Sequence, residues 1–252
     1  MTIDPTKRFT PRVSNYVQGR PGYPASLAGS VASLAGLCGG AVIADLGSGT
    51  GLLAEPFLAA GFEVIGVEPN TAMRQAGDDY LEQYGKFRSI DSTAEKIDLP
   101  ANSVDMVTAG QAFHWFDPYY CGAECRRICR NAYAALVWNE RSFGTAFMQD
   151  YEDLLREHAP EYAAKPYGHI DPGALKSFFR SEKYQRVRLE NLQHLDLESL
   201  ARRVFSSSYT PAEDDAGYAG FLHRVQSLFR KHEQNGRVTF QYDLWVIHGS
   251  LD

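Results

Sequence analysis

Residues 42–51 read VIADLGSGTG: a short apolar run, an acid at position 45, then glycines at 47, 49 and 51. A brief apolar run closed by glycine reads as a buried strand, and a turn this small lets a ligand approach the backbone closely. Spacing and charge decide which ligand. Dinucleotide sites use G-x-G-x-x-G, aiming backbone amides and a helix N-terminus at a pyrophosphate. Here the pattern is G-x-G-x-G, and no Lys-Ser/Thr pair follows it, which excludes a phosphate-cradling P-loop. Asp45 would repel a phosphate and attract a cation.

The residues on either side repeat the strand-and-helix rhythm. Pro24 can open a helix whose stripe, Leu27, Val31, Leu34 and Leu37, predicts a stop at Gly39-Gly40. LLAEPFLAAG reads as a helix closed by Gly61, FEVIGVE as the second strand, and Asn70 as the cap of a helix reaching about Tyr84. KFRSI, VDMVTAG and AYAALVWN supply three further strands, and Asp117-Pro118 opens a helix between the last two. Strand and helix alternating at this spacing predict an α/β fold, with a Rossmann-like, doubly wound and mostly parallel sheet. Beyond residue 140 helices are expected from about Gly144 to His158, from Pro172 to Phe179, and across much of 197–234. QRVRLENLQHL and GRVTFQYDLWVIHG alternate in the β manner, so the last of seven strands is expected to run antiparallel. The whole chain, 1–252, is expected to form one domain. Residues 24–196 and 235–252 make its core, 1–23 an N-terminal cover, and 197–234 a helical insertion that is either a lid or ordinary packing.

Composition narrows the function further. With 44% hydrophobic residues, 22% charged and a net charge of -6, the 252-residue chain has no general attraction for polyanions. The basic clusters RRICR at 126–130 and ARRVF at 201–205 read first as solvated helix faces, so no nucleic-acid partner is expected. No apolar stretch is long and uninterrupted enough to span a membrane, and no charged, then apolar, leader opens the sequence. A cytoplasmic location, reduced thiols, and a monomer or homodimer are the expectations. Cys121, Cys125 and Cys129 recur every four residues, but on a helix the outer pair lies about 12 Å apart. One metal ion cannot gather all three, and none of the histidines has metal-ligand spacing, so no metal is expected.

A second acid completes the reading of the glycine turn. Glu68 ends the predicted second strand, where a carboxylate accepts both hydroxyls of a ribose. An adenosine bearing a positive, phosphate-free tail suits both acids, and S-adenosylmethionine is such a molecule. With DLGSGTG at 45–51, VIGVEPNTAM at 64–73, STAEKIDLPANSVDMV at 92–107 and QAFHWFDP at 111–118, the chain resembles the class I S-adenosylmethionine-dependent methyltransferases. More narrowly it resembles the small-molecule group that includes trans-aconitate-type enzymes, also through NYVQGRPGYP at 15–24 and FSSSYTP at 205–211. The resemblance implies that Asp45, Gly47, Ser48, Gly49 and Gly51 border the methionine portion. It implies that Glu68, followed by Pro69, holds the ribose, and that Met73 covers the adenine. Thr93 and Ala94 would stand at the adenine edge, Gln111 near the methionine amine, and Tyr16 and Arg20 at the methionine carboxylate. Two departures stand out. Thr93 replaces a more usual aspartate, and CRNAYAALVW lacks the usual Pro-Gly-Gly turn before the fifth strand.

An acceptor that loses a proton needs a base. His114, between Phe113 and Trp115, follows the fourth strand and has an unperturbed pKa suited to neutral pH. It is either that base or part of a pocket wall. Trp115, Trp138 and Tyr209 are candidates for the acceptor pocket, with Asn139-Glu140 beside them. The partner expected is a small-molecule acceptor, reached by direct in-line transfer. The alternatives are an S-adenosylmethionine-binding regulator or scaffold that transfers nothing and, less well matched in spacing, a nicotinamide oxidoreductase.

Overall fold

In the computed structural model, residues 20–159, 162, 171–207 and 209–251 are described. The seven strands are β1 (Val42–Leu46), β2 (Glu63–Val67), β3 (Phe87–Ile90), β4 (Met106–Gly110), β5 (Tyr133–Arg141), β6 (Gln185–Leu195) and β7 (Val238–Ser250). They form one sheet in the order β3-β2-β1-β4-β5-β7-β6, with β7 antiparallel to both neighbours. The strand order reverses beside β1, which pairs with β2 on one side and β4 on the other. In such sheets the crevice at that reversal is where ligands bind.

Helices cover both faces. On one, α1 (Ser26–Ala35), α2 (Ala54–Ala59) and α3 (Thr71–Leu81) pack Leu27, Val31, Phe57 and Leu81 over Ile43, Val64 and Met106. On the other, α4 (Pro118–Ile128) and α6 (Pro172–Phe179) lay Cys121, Cys125, Ile128 and Phe178 over Leu46, Val107 and Leu136. Cap residues set where these helices begin. Asn70 accepts from the Met73 amide at 3.0 Å, Asp117 from Tyr119 and Tyr120, and Asp171 from Gly173. Cys121 and Cys125 are therefore on the apolar face of α4, and Cys129 is buried at its C-cap.

A third cluster lies beyond the sheet edge. Helices α5 (Ala146–His158), α7 (Leu197–Phe205) and α8 (Tyr218–His232) bury Met148, Leu155, Leu200, Val204 and Val225 around Phe240 and Tyr242 of β7. The predicted 197–234 helical stretch is thus two helices with an intervening turn. The Asn235-Gly236 pair, both at positive φ, closes the hairpin into β7.

Three expectations are corrected. The first helix ends at Gly36, which adopts the left-handed conformation at φ 63° and caps Ala32 and Ser33, so Gly39-Gly40 lies beyond it. RRICR is not a solvated face, because its arginines staple loops. Arg126 donates to the carbonyls of Phe178 and Leu251, Arg127 to those of Leu99 and Ile97, and Arg130 to Asp105. ARRVF is solvated only in part, since Arg202 is exposed but Arg203 is 3% exposed. At the turn that lacks Pro-Gly-Gly, Ala132 takes the left-handed conformation itself, at φ 43°.

Candidate active site

The glycine turn is fixed by β2. The amides of Gly47 and Ser48 both donate to the carbonyl of Val67, at 2.8 and 3.3 Å. Gly47 sits at φ 60°, and a side chain there would stand 2.7 Å from Ala112 Cβ. Gly51, at φ 82°, lies against Leu81 of α3. Glycine is required at both positions by backbone conformation and by contact.

Two carboxylates flank the turn. Glu68, 8% exposed, accepts from the Gly49 amide at 3.0 Å and the Asn70 amide at 2.8 Å. Burial pushes its pKa up, against the pull of those two amides and of Arg74. Each carboxylate oxygen has a second lone pair, so acceptor capacity remains for hydroxyl groups. Asp45 is more deeply buried, at 1% exposure. Its Oδ1 accepts from the Thr108 hydroxyl at 3.0 Å, and its Oδ2 has no partner among the described residues. Burial pushes the Asp45 carboxyl up to about 7, with the Glu68 charge adding to it and the Thr108 hydrogen bond opposing. A carboxylate brought out of water in this way is a strong receptor for a cation.

A cleft opens at the carboxyl ends of β1, β4 and β5. Of the residues singled out in the sequence, it brings together Arg20, Asp45, Gly47, Ser48, Gly49 and Gln111. Gln111, at φ 55°, is held by its amide on the Val137 carbonyl and by its side chain on the Asn139 carbonyl. Glu68, Pro69, Met73, Thr93 and Ala94 are not part of this lining. Met73 and Ala94 are buried, Thr93 is exposed, and Glu68 reaches the cleft only through its bond to Gly49. Met73 Cε would stand 3.3 Å from a side chain at Gly49.

His114, Trp115 and Trp138 form a second group. The short helical turn Phe113–Trp115 places the His114 ring 4.7 Å from Trp115 and 6.2 Å from Trp138. Alternation along β5 puts Trp138 and Asn139 on opposite faces of the sheet, and Asn139, not Trp138, lines the cleft. Tyr209 belongs elsewhere again, 3.3 Å from Arg141 Nη1 and ring to ring with Tyr162. Tyr16 lies outside the described residues. The cleft also takes in Asn139, Arg203 and Tyr242, of which the sequence had suggested only Asn139. Arg203 could have been found: it falls three residues after Leu200 and beside Val204, on the buried stripe of its helix.

Residues 44–133, from the glycine strand to the start of β5, match the family model of a methyltransferase domain. An uncharacterised methyltransferase of Mycobacterium tuberculosis is 28% identical over 230 residues, 91% of this chain and 88% of that protein. One from Schizosaccharomyces pombe is 29% identical over 241 residues, 93% of each chain. The solved structure of a candidate type II methyltransferase from Anaeromyxobacter dehalogenans shares the fold, with a TM-score of 0.71 and 20% identity. That match covers 92% of this chain and 98% of the other. The chain is an S-adenosylmethionine-dependent methyltransferase, built on the Rossmann-like fold of class I. S-adenosylmethionine is its cofactor and a methyl acceptor is its partner. Among the described residues no helix is long and apolar enough to cross a membrane.

Proposed function

We propose that the acceptor is a small molecule, as in the trans-aconitate-type group, and that methyl is transferred to it directly and in line. The observation that carries this reading is the cleft. It is a concave site at the switch point of the sheet, lined by a buried carboxylate, Asp45, with one oxygen that has no partner among the described residues. A base in a duplex would first have to be flipped, usually with basic surface to hold the strand, and the chain carries a net charge of -6.

S-adenosylmethionine supplies an activated methyl group, so the protein's task is to bind, align and exclude water. We assign Asp45 and the Gly47, Ser48, Gly49 and Gly51 turn to the methionine portion, with Gln111 at its amine and Tyr16 and Arg20 at its carboxylate. Glu68 and Pro69 take the ribose, and Met73, Thr93 and Ala94 the adenine. Trp115, Trp138 and Tyr209 are assigned to the acceptor side. Helices α7 and α8, with the N-terminal segment, are proposed to cover the acceptor. His114 is assigned to proton removal, in competition with a role as pocket wall.

A screen of carboxylic, phenolic and amine acceptors, read by S-adenosylhomocysteine release, tests the reading. Turnover with at least one is expected. His114→Asn should then lower the rate by about 10²–10⁴-fold with cofactor affinity nearly intact. An unchanged rate makes His114 a wall. Cofactor binding with no turnover on any small acceptor would favour a regulator.

A further inference from the structure

We propose that the β5–β7 end of the cleft is a carboxylate subsite, where Asn139 and Arg203 receive an anionic group of the methyl acceptor. The proposal deepens the small-molecule reading above and rests on it. Its first support is the orientation of one amide. Asn191 Nδ2 donates to the Gly22 carbonyl at 2.8 Å and to Asn139 Oδ1 at 2.9 Å. A carbonyl only accepts, so the Asn191 group there is its NH₂, and the Asn139 atom facing it must be the oxygen. That turns Asn139 Nδ2 the other way. The residue is 2% exposed and lines the cleft, and this Nδ2 has no partner among the described residues. Leaving a buried amide donor unpaired is costly, and an acceptor oxygen from a ligand satisfies it.

Arg203 enters the same cleft from α7. Its Nε donates to the Tyr242 hydroxyl at 2.8 Å, and that hydroxyl donates to Gln193 Oε1 at 2.9 Å. The guanidinium plane is therefore set by two strands, β6 and β7. A planar fork held in place, beside an amide donor, matches the paired oxygens of a carboxylate.

The surroundings are cationic. Burial alone would raise the Tyr209 hydroxyl, yet Arg141 and Arg203, a hydrogen bond with Ser207 and, least, Arg20 hold it below the usual phenol range. Glu152 lies 3.9 Å from Arg141 and is itself engaged by Arg156 and Tyr162. An ammonium acceptor would be repelled here.

The test is calorimetry on the full chain saturated with S-adenosylhomocysteine. The probes are citrate, trans-aconitate and benzoate, each against its amide. At least one acid should bind saturably, and more tightly than its amide. Asn139→Asp keeps the oxygen that faces Asn191 and replaces the donor with negative charge. It should weaken the acid by about tenfold or more while the S-adenosylhomocysteine constant stays within about twofold. Arg203→Met should do the same, and Arg203→Lys should recover part of the loss. Because Arg203 is buried, Asn139→Asp decides if the Met variant does not fold. Amides binding as tightly as acids, or no acid binding at millimolar concentration, overturns the subsite. So does an equal loss of S-adenosylhomocysteine affinity in Asn139→Asp, which would give these donors to the cofactor. If the wild type instead transfers methyl only to a macromolecule, the small-molecule reading fails and the subsite with it.

Discussion

The two ends of the cleft are opposite in charge and in construction. At the β1 end, Asp45 and Glu68 stand over a turn of three glycines, all within 24 residues of sequence. At the β5–β7 end, Arg203, Tyr242 and Asn139 come from three separate elements, joined by antiparallel pairing and by α7. One end is local and acidic, the other assembled and basic. A cofactor carrying positive charge suits the first. An anionic acceptor suits the second.

The largest expected contrast comes from Asp45→Asn. The wild-type carboxyl is raised from 3.8 to about 7 in the folded chain, so the fold disfavours its charge. Below about pH 4 the group is protonated folded or unfolded and costs nothing. Between about pH 4 and 7 stability falls as pH rises, and above 7 the full cost, on the order of 4 kcal/mol, is present. Asp45→Asn should therefore raise Tm at pH 8, with the gain vanishing toward pH 4, while S-adenosylmethionine affinity drops about tenfold or more. Thermal melts across that range check it, and a lower Tm for the variant at pH 8 would contradict the burial argument.

A smaller effect is expected at the basic end. If α7 and α8 close over the ligands, S-adenosylhomocysteine with an acceptor should slow amide exchange in both helices, beyond the slowing in the glycine turn. Unaltered exchange there would leave the two helices as packing around Phe240 and Tyr242, which they already bury.

The same contrast explains what the sequence made legible. Strand, glycine turn, second strand and capped helix are written contiguously, and each carries its own signal: Asn70 and Asp117 at caps, Gly47 and Gly51 where φ is positive. The acids fell into place with them. Arg203 did not. Its cluster reads as a solvated face until the Leu200–Val204 stripe is laid against β7, and no local pattern announces that Tyr242 waits there. Asn139 and Trp138 are adjacent in sequence yet face opposite sides of the sheet, so naming the pair did not tell which one lines the cleft. His114 and the two tryptophans do gather, but outside the lining of the cleft. Helix α1 stopped early because Gly36, not Gly39, takes the left-handed cap.

That the acidic end holds the cofactor and the basic end does not is tested most directly by S-adenosylhomocysteine calorimetry on two variants side by side. Glu68→Ala should weaken binding by roughly 1.5–3 kcal/mol, about 10–150-fold, and Asn139→Asp should leave it within about twofold. Unchanged affinity in Glu68→Ala, or a loss in Asn139→Asp as large as in Glu68→Ala, would contradict the division of the cleft.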